Sequence, residues 1–309
     1  MIKIYKTINT RMREVEEIED DCWINVVNPD EKEIQMLNRR FGLEADFLRA
    51  ALDEEESSRI ETEDGNTLII IDTPVAGRTD DDEVVYSTLP IGIVVAGHNV
   101  ITVSLRENAI LTEFEDGVVR GINTALKTQF VLRIILRVAT RFLQYLKQID
   151  KLSGLLEQQL RKSMKNKELI QLLDVQKSLV YFSTSLKSNE ATLEKMMRGR
   201  HIKLYEDDQD LLEDVLVEVK QAIEMSNIYL NIMSGTMDAF ASVISNNLNI
   251  VMKVLAAVTM VISIPNIIAG FYGMNMSWLP MSGHFWFPIV ISAALMAGSA
   301  WILHKKHMF

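Results

Sequence analysis

The chain has 309 residues, 48% of them hydrophobic and 24% charged, with a formal net charge of −10. That length fits two domains, or one domain with an appendage, and acid clusters at 16–21, 53–56, 79–83 and 206–210 argue against a nucleic-acid partner because they repel polyanions and attract cations. Cys22 stands alone, so the chain has no intramolecular disulfide framework.

The opening "MIKIYKTINT" lacks the long apolar core of a signal peptide and reads as a strand. "CWINVVN" (22–28), "TLIIIDTPV" (67–75), "YSTLPIGIVVA" (86–96) and "VITVSL" (100–105) are rich in β-branched residues and predict further strands, with "GHN" (97–99) as the turn between the last two. "NPDEKEIQMLNRRFG" (28–42) predicts a helix, with Pro29 near its start and Gly42 at its end. From about 122 the period changes to three- and four-residue steps. Phe130, Ile134, Val138, Phe142, Leu146, Ile149, Leu152 and Leu156 form one apolar stripe, and Leu169, Leu172, Leu179, Phe182 and Leu186 form a second, as a long helical hairpin requires. A third helical period starts near Gln209 with Leu212, Val215, Val219 and Ile223, continues through Ile232, Phe240 and Ile244, and meets no proline before Pro265.

"VLAAVTMVISIPNIIAGF" (254–271) and "FWFPIVISAALMAGSAWIL" (285–303) carry no charge and are close to the 20 or so residues that cross a bilayer. No acid follows Asp238, and Lys253, Lys305 and Lys306 are the only strong bases after it. The lysines flank the spans while the connecting loop, 272–284, has none, which predicts both termini in the cytoplasm of a cell-membrane protein. The expected fold class is therefore an α+β membrane protein. It has a cytoplasmic α/β domain over 1–120, a coiled-coil-like helical stalk over 121–248 and a transmembrane domain over 249–309. No phosphate loop, G-x-S-x-G or Cys/His cluster points to an enzyme.

Two spans cannot enclose water, so a pore needs a ring of subunits. Asn249, Met252, Thr259, Ser263, Asn266 and Gly270 lie roughly on one face of the first span. A buried amide such as Asn266 either glues helices together or points into a pore, and the sequence leaves both open. Magnesium sheds water reluctantly, so a neutral asparagine at a pore mouth suits an ion that keeps its waters.

"YGMN" (272–275), between two C-terminal spans and behind a long helical stretch, resembles the signature of the CorA family of magnesium transport proteins. "NIVMKVLA" (249–256), "LDEEESSRIE" (52–61), "LIIIDTP" (68–74) and the basic C-terminal residues are similar to the same family, so the resemblance spans the chain. It implies a homopentameric funnel in the lipid bilayer that passes Mg2+, with Co2+ or Ni2+ as further ions. It implies a filter at Gly273, Met274 and Asn275 and a pore lined by Asn249, Met252, Leu255, Thr259, Ser263, Asn266 and Gly270. The same resemblance makes Met252 and Leu255 the expected hydrophobic constriction near the cytoplasmic end. Asp214 matches an acid that binds regulatory Mg2+ between subunits, and Asp238 falls on another acid of the same helix. Asp72 and Asp80–Glu83 are candidate partners for Asp214. The loop lacks the Asp or Glu common in related loops, which weakens cation concentration at the mouth. His284 reads as an interfacial residue, against a soft-metal contact, and His304 with His307 read as a snorkelling basic tail, against a metal-ligating pair. The alternatives are a zinc or other divalent-cation transporter of the same superfamily, against which Met274 argues, and a metal-sensing scaffold that transports nothing.

Overall fold

The computed structural model describes residues 1–78, 84–163, 166–199, 201–274, 281 and 284–306. They divide into two compact units, 1–234 and 235–309. The first is built on seven strands: β1 (Ile2–Ile8), β2 (Arg11–Glu14), β3 (Cys22–Val27), β4 (Arg59–Glu63), β5 (Asn66–Arg78), β6 (Val84–Ala96) and β7 (Asn99–Ser104). Their order is β2-β1-β3-β7-β6-β5-β4, antiparallel except for the central β3–β7 pair. The expected hairpin turn is present, with Gly97 at φ +55° between β6 and β7.

One sheet face carries Ile24, Val26, Leu68, Ile70, Val94, Ile101 and Val103 and packs against α1 (Glu31–Phe41) and α2 (Ala45–Ala50). The α1 helix begins where the Asp30 and Glu33 side chains cap each other's backbone, and it ends at Gly42 in the left-handed conformation. Trp23 lies on the opposite face, fully buried against Tyr5, Phe114 and Phe130 at centroid distances of 5.1, 6.3 and 5.4 Å. Its indole N–H donates to Thr102 Oγ1 (2.9 Å), whose hydroxyl donates to Asn25 Oδ1 (2.9 Å), so the ring's one polar atom is satisfied. Phe114 belongs to α3 (Ala109–Glu115) and Phe130 to α4 (Lys127–Ser163). Glu113 of α3 pairs with both Arg137 and Arg141 of α4 and staples the two helices together.

The predicted helical hairpin is α4 with α5 (Asn166–Met197). Phe142 and Phe182 meet edge to face at 5.0 Å between its arms. The α5 helix also seals an open stretch of sheet. Strand β4 stops pairing with β5 at Arg59, opposite Ile70, so the backbone of Asp72 has no strand neighbour on that side. Asn189 takes its place, accepting from the Asp72 N–H and donating to the Asp72 carbonyl, each at 2.9 Å. The Ser58 hydroxyl donates to the same amide oxygen at 2.8 Å. Burial pushes the Asp72 carboxyl above its ordinary range, and hydrogen bonds from Ser185 and Ser58 pull it partly back.

The third helical period is one helix, α6 (Glu206–Tyr272), of 67 residues and about 100 Å at 1.5 Å per residue. Leu212, Val215, Val219 and Ile223 are buried as expected. Ile232 and Ile244 are not: they are 59% and 41% exposed. The second unit holds the rest of α6 together with α7 (Trp286–Lys305). Both helices are long and apolar enough to cross a membrane. Tyr272 and Phe287 meet at 6.4 Å where α6 ends and α7 begins.

Candidate ion-conduction site

Asn249, Met252, Leu255, Thr259, Ser263, Asn266 and Gly270 all fall within α6. At 3.6 residues per turn they occupy a sector about 120° wide, so one face carries all seven. Within the single chain every one is exposed except Ser263, which is half-buried. Two hydroxyls on this face are already committed. Thr259 Oγ1 donates to the Leu255 carbonyl at 2.7 Å, and Ser263 Oγ donates to the Thr259 carbonyl at 2.8 Å. With the proton turned back into the helix, each hydroxyl offers outward only lone pairs. These two hydroxyls can therefore accept hydrogen bonds from water, while the amides of Asn249 and Asn266 on the same face can both donate and accept. Pro265, inside the helix, removes one N–H and leaves the Val261 carbonyl without its helical donor.

Gly273 and Met274, two of the three expected filter residues, follow directly on α6. The Gly273 N–H donates to the Ala269 carbonyl (2.8 Å) and the Met274 N–H to that of Phe271 (3.3 Å), closing the last turn. The Gly273 backbone is not in the left-handed region, and its constraint is steric: an added Cβ meets the Ala269 carbonyl oxygen at 3.2 Å. Asn275 lies outside the described residues.

The acids are less concentrated. Asp214 and Asp238 are both exposed on α6, 24 positions apart in the sequence, the first in one unit and the second in the other. Asp72 is half-buried between β5 and α5, occupied by Ser58 and Ser185. Asp80–Glu83 and His307 lie outside the described residues, and no group of three or more His, Cys, Asp or Glu side chains is placed to hold a metal among the described ones. The His284 carbonyl accepts from the Phe287 N–H at 3.1 Å, at the start of α7.

The family described as CorA-like Mg2+ transporter protein matches residues 19–305. The chain belongs to that family. The cobalt/magnesium transport protein CorA of Methanocaldococcus jannaschii is 27% identical over 296 residues, covering 92% of this chain and 90% of its own. The protein of the same description from Thermotoga maritima is 31% identical over 129 residues, 38% of this chain and 37% of its own. The complete structure of the CorA magnesium transporter from Methanocaldococcus jannaschii aligns with a TM-score of 0.81 at 23% identity, covering 99% of this chain and 96% of that one. The CorA-like architecture of a soluble α/β domain, a long helix and two apolar C-terminal helices is therefore the architecture of this chain. What sequence reasoning could not see was the commitment of the Thr259 and Ser263 protons. Both hydroxyls lie four residues after the carbonyl they use, a spacing that also fits residues pointing out to solvent.

Proposed function

We propose that this chain assembles as a homopentameric channel in the cell membrane, with both termini cytoplasmic, and admits Mg2+ passively, with Co2+ and Ni2+ as further cargo. The observation that carries this reading is the line along α6 from Asn249 to Gly270, where Asn249, Thr259, Ser263, Asn266 and Gly270 share one face with the apolar pair Met252 and Leu255, in a CorA-like chain. Two apolar helices per chain cannot surround water, so the line becomes a pore only in a ring. Gly273, Met274 and Asn275 form the outer filter, and Met252 with Leu255 close the inner end by dewetting. A negative-inside potential draws a divalent ion inward with about 4.6 kcal/mol per 100 mV, twice the single-charge value. Asp214 and Asp238 hold regulatory Mg2+ between neighbouring subunits. High internal Mg2+ then favours the closed ring, and its loss leaves acid-rich surfaces repelling one another.

The test is cation uptake into proteoliposomes under an imposed potential, comparing the natural protein with Asn275→Ala and reading magnesium, cobalt and zinc in parallel. Potential-driven Mg2+ entry that collapses in the variant is the expected result. Zinc flux without magnesium flux overturns the cargo assignment, and no flux from a folded oligomer overturns transport itself.

A further inference from the structure

Residues 235–309 carry Lys253, Lys305 and Lys306 against Asp238 alone, a net +2, which leaves −12 on residues 1–234 of a chain whose total is −10. Two of the three lysines adjoin at the end of α7, and no acid on α7 neutralises them. Lys305 is exposed and folds back along its own helix. Its Nζ lies 5.5 Å from the centroid of the Trp301 ring. Helical side chains point back toward the N-terminus, so a residue at i+4 lies over the turn before it, and the indole holds the ammonium there by cation–π attraction. Trp301 is 65% exposed, and no residue of α7 is buried within the chain. An indole at the end of an apolar span sits at the headgroup level. A lysine folded back onto it therefore presents its charge at the depth of lipid phosphates, whereas a freely snorkelling lysine carries it outward.

We propose that the C-terminal end of α7 binds the phosphate of an anionic phospholipid headgroup, with Lys305 and Lys306 supplying the charge and Trp301 the floor. The inference rests on α7 spanning the membrane, as proposed above. A phosphatidylcholine phosphate is offset by its own choline, so a net anionic headgroup is the one this site favours.

Full-length protein and the Lys305→Gln/Lys306→Gln variant are equilibrated with phosphatidylglycerol or phosphatidylcholine, and retained lipid is counted by native mass spectrometry. The natural protein should prefer phosphatidylglycerol. The preference should fall about fivefold per lysine, roughly thirtyfold for the pair, with phosphatidylcholine retention unchanged. A Lys305→Arg/Lys306→Arg variant should keep it, separating charge from folding. Equal retention of both lipids by the natural protein, or an undiminished preference in the glutamine variant, overturns the proposal. Flotation with phosphatidylcholine vesicles distinguishes the two levels: protein that fails to float overturns the spanning reading, whereas protein that floats without anionic preference overturns this inference alone.

Discussion

Replacing Gly92 by alanine tests how tightly the sheet and α2 are locked. A Cβ added at Gly92 falls 2.8 Å from the Ala51 Cβ, with Leu68 Cδ1 at 3.8 Å and Val103 Cβ at 3.9 Å. Carbon atoms rest at about 3.5–4.0 Å, so something must move by about 1 Å. Neither partner can do so easily. Gly92 is paired with Ile70 on one side and Val103 on the other. Ala51 is fully buried at the end of α2, and its methyl is fixed to the backbone. Overpacking of this kind costs about 1–3 kcal/mol, offset by the roughly 0.5–1 kcal/mol that alanine gains over glycine in a strand interior. The net loss should be about 1–2 kcal/mol, or roughly 2–8 °C in the melting temperature of a unit this size. Adding Ala51→Gly removes the colliding methyl, so the two changes should be coupled favourably by about 1–2 kcal/mol. The assay is thermal unfolding of the solubilised full-length protein, followed by near-UV circular dichroism, for both single variants and the double. A Gly92→Ala protein as stable as the natural one, or a double variant whose loss is simply additive, would refute the reasoning.

Two further expectations concern charge. Glu113→Ala leaves Arg137 and Arg141 without their shared carboxylate and should cost about 2–3 kcal/mol in denaturant titration, below the range for full burial because the Arg137 side chain is 30% exposed; no change in the midpoint would dissolve the staple. Asp72 has its native carboxyl raised mainly by burial, so the folded chain holds that proton more tightly than the unfolded one. Its contribution is fully present below the unfolded value of about 3.9 and is lost as pH rises through the raised native value. Stability measured from pH 4 upward should therefore fall less in Asp72→Asn than in the natural protein, and parallel curves would contradict this.

The long strands and helices were legible because their burial follows a simple period. The β-branched run at 67–75 became the core of β5, and the three- and four-residue steps from Phe130 to Leu156 lie within α4. Short elements were not legible. Strands β2 and β4 have four and five residues, and their polar sequences, RMRE and RIETE, show no apolar alternation because they lie at the two sheet edges. Helix α2, six residues long, has no side-chain cap to announce it. The polar line on α6 could be read from spacing alone, since a helix fixes which residues share a face. The setting of Asp72 could not, because it depends on Ser58 and on Ser185 and Asn189, more than a hundred positions away.

The Asn189 fork has a consequence for the chain before it is finished. An unpaired strand edge invites a strand from another molecule, and β5 runs well past the end of its partner β4. Asn189 blocks that edge at Asp72, the first position past Ile70 whose backbone it meets, with one amide occupying both the donor and the acceptor that an intruding strand would need there. It is made 117 residues after Asp72. Until α5 has been synthesised and docked, the edge stays open, so the interval in which this sheet is vulnerable to a neighbour is set by the rate of translation as much as by the rate of folding.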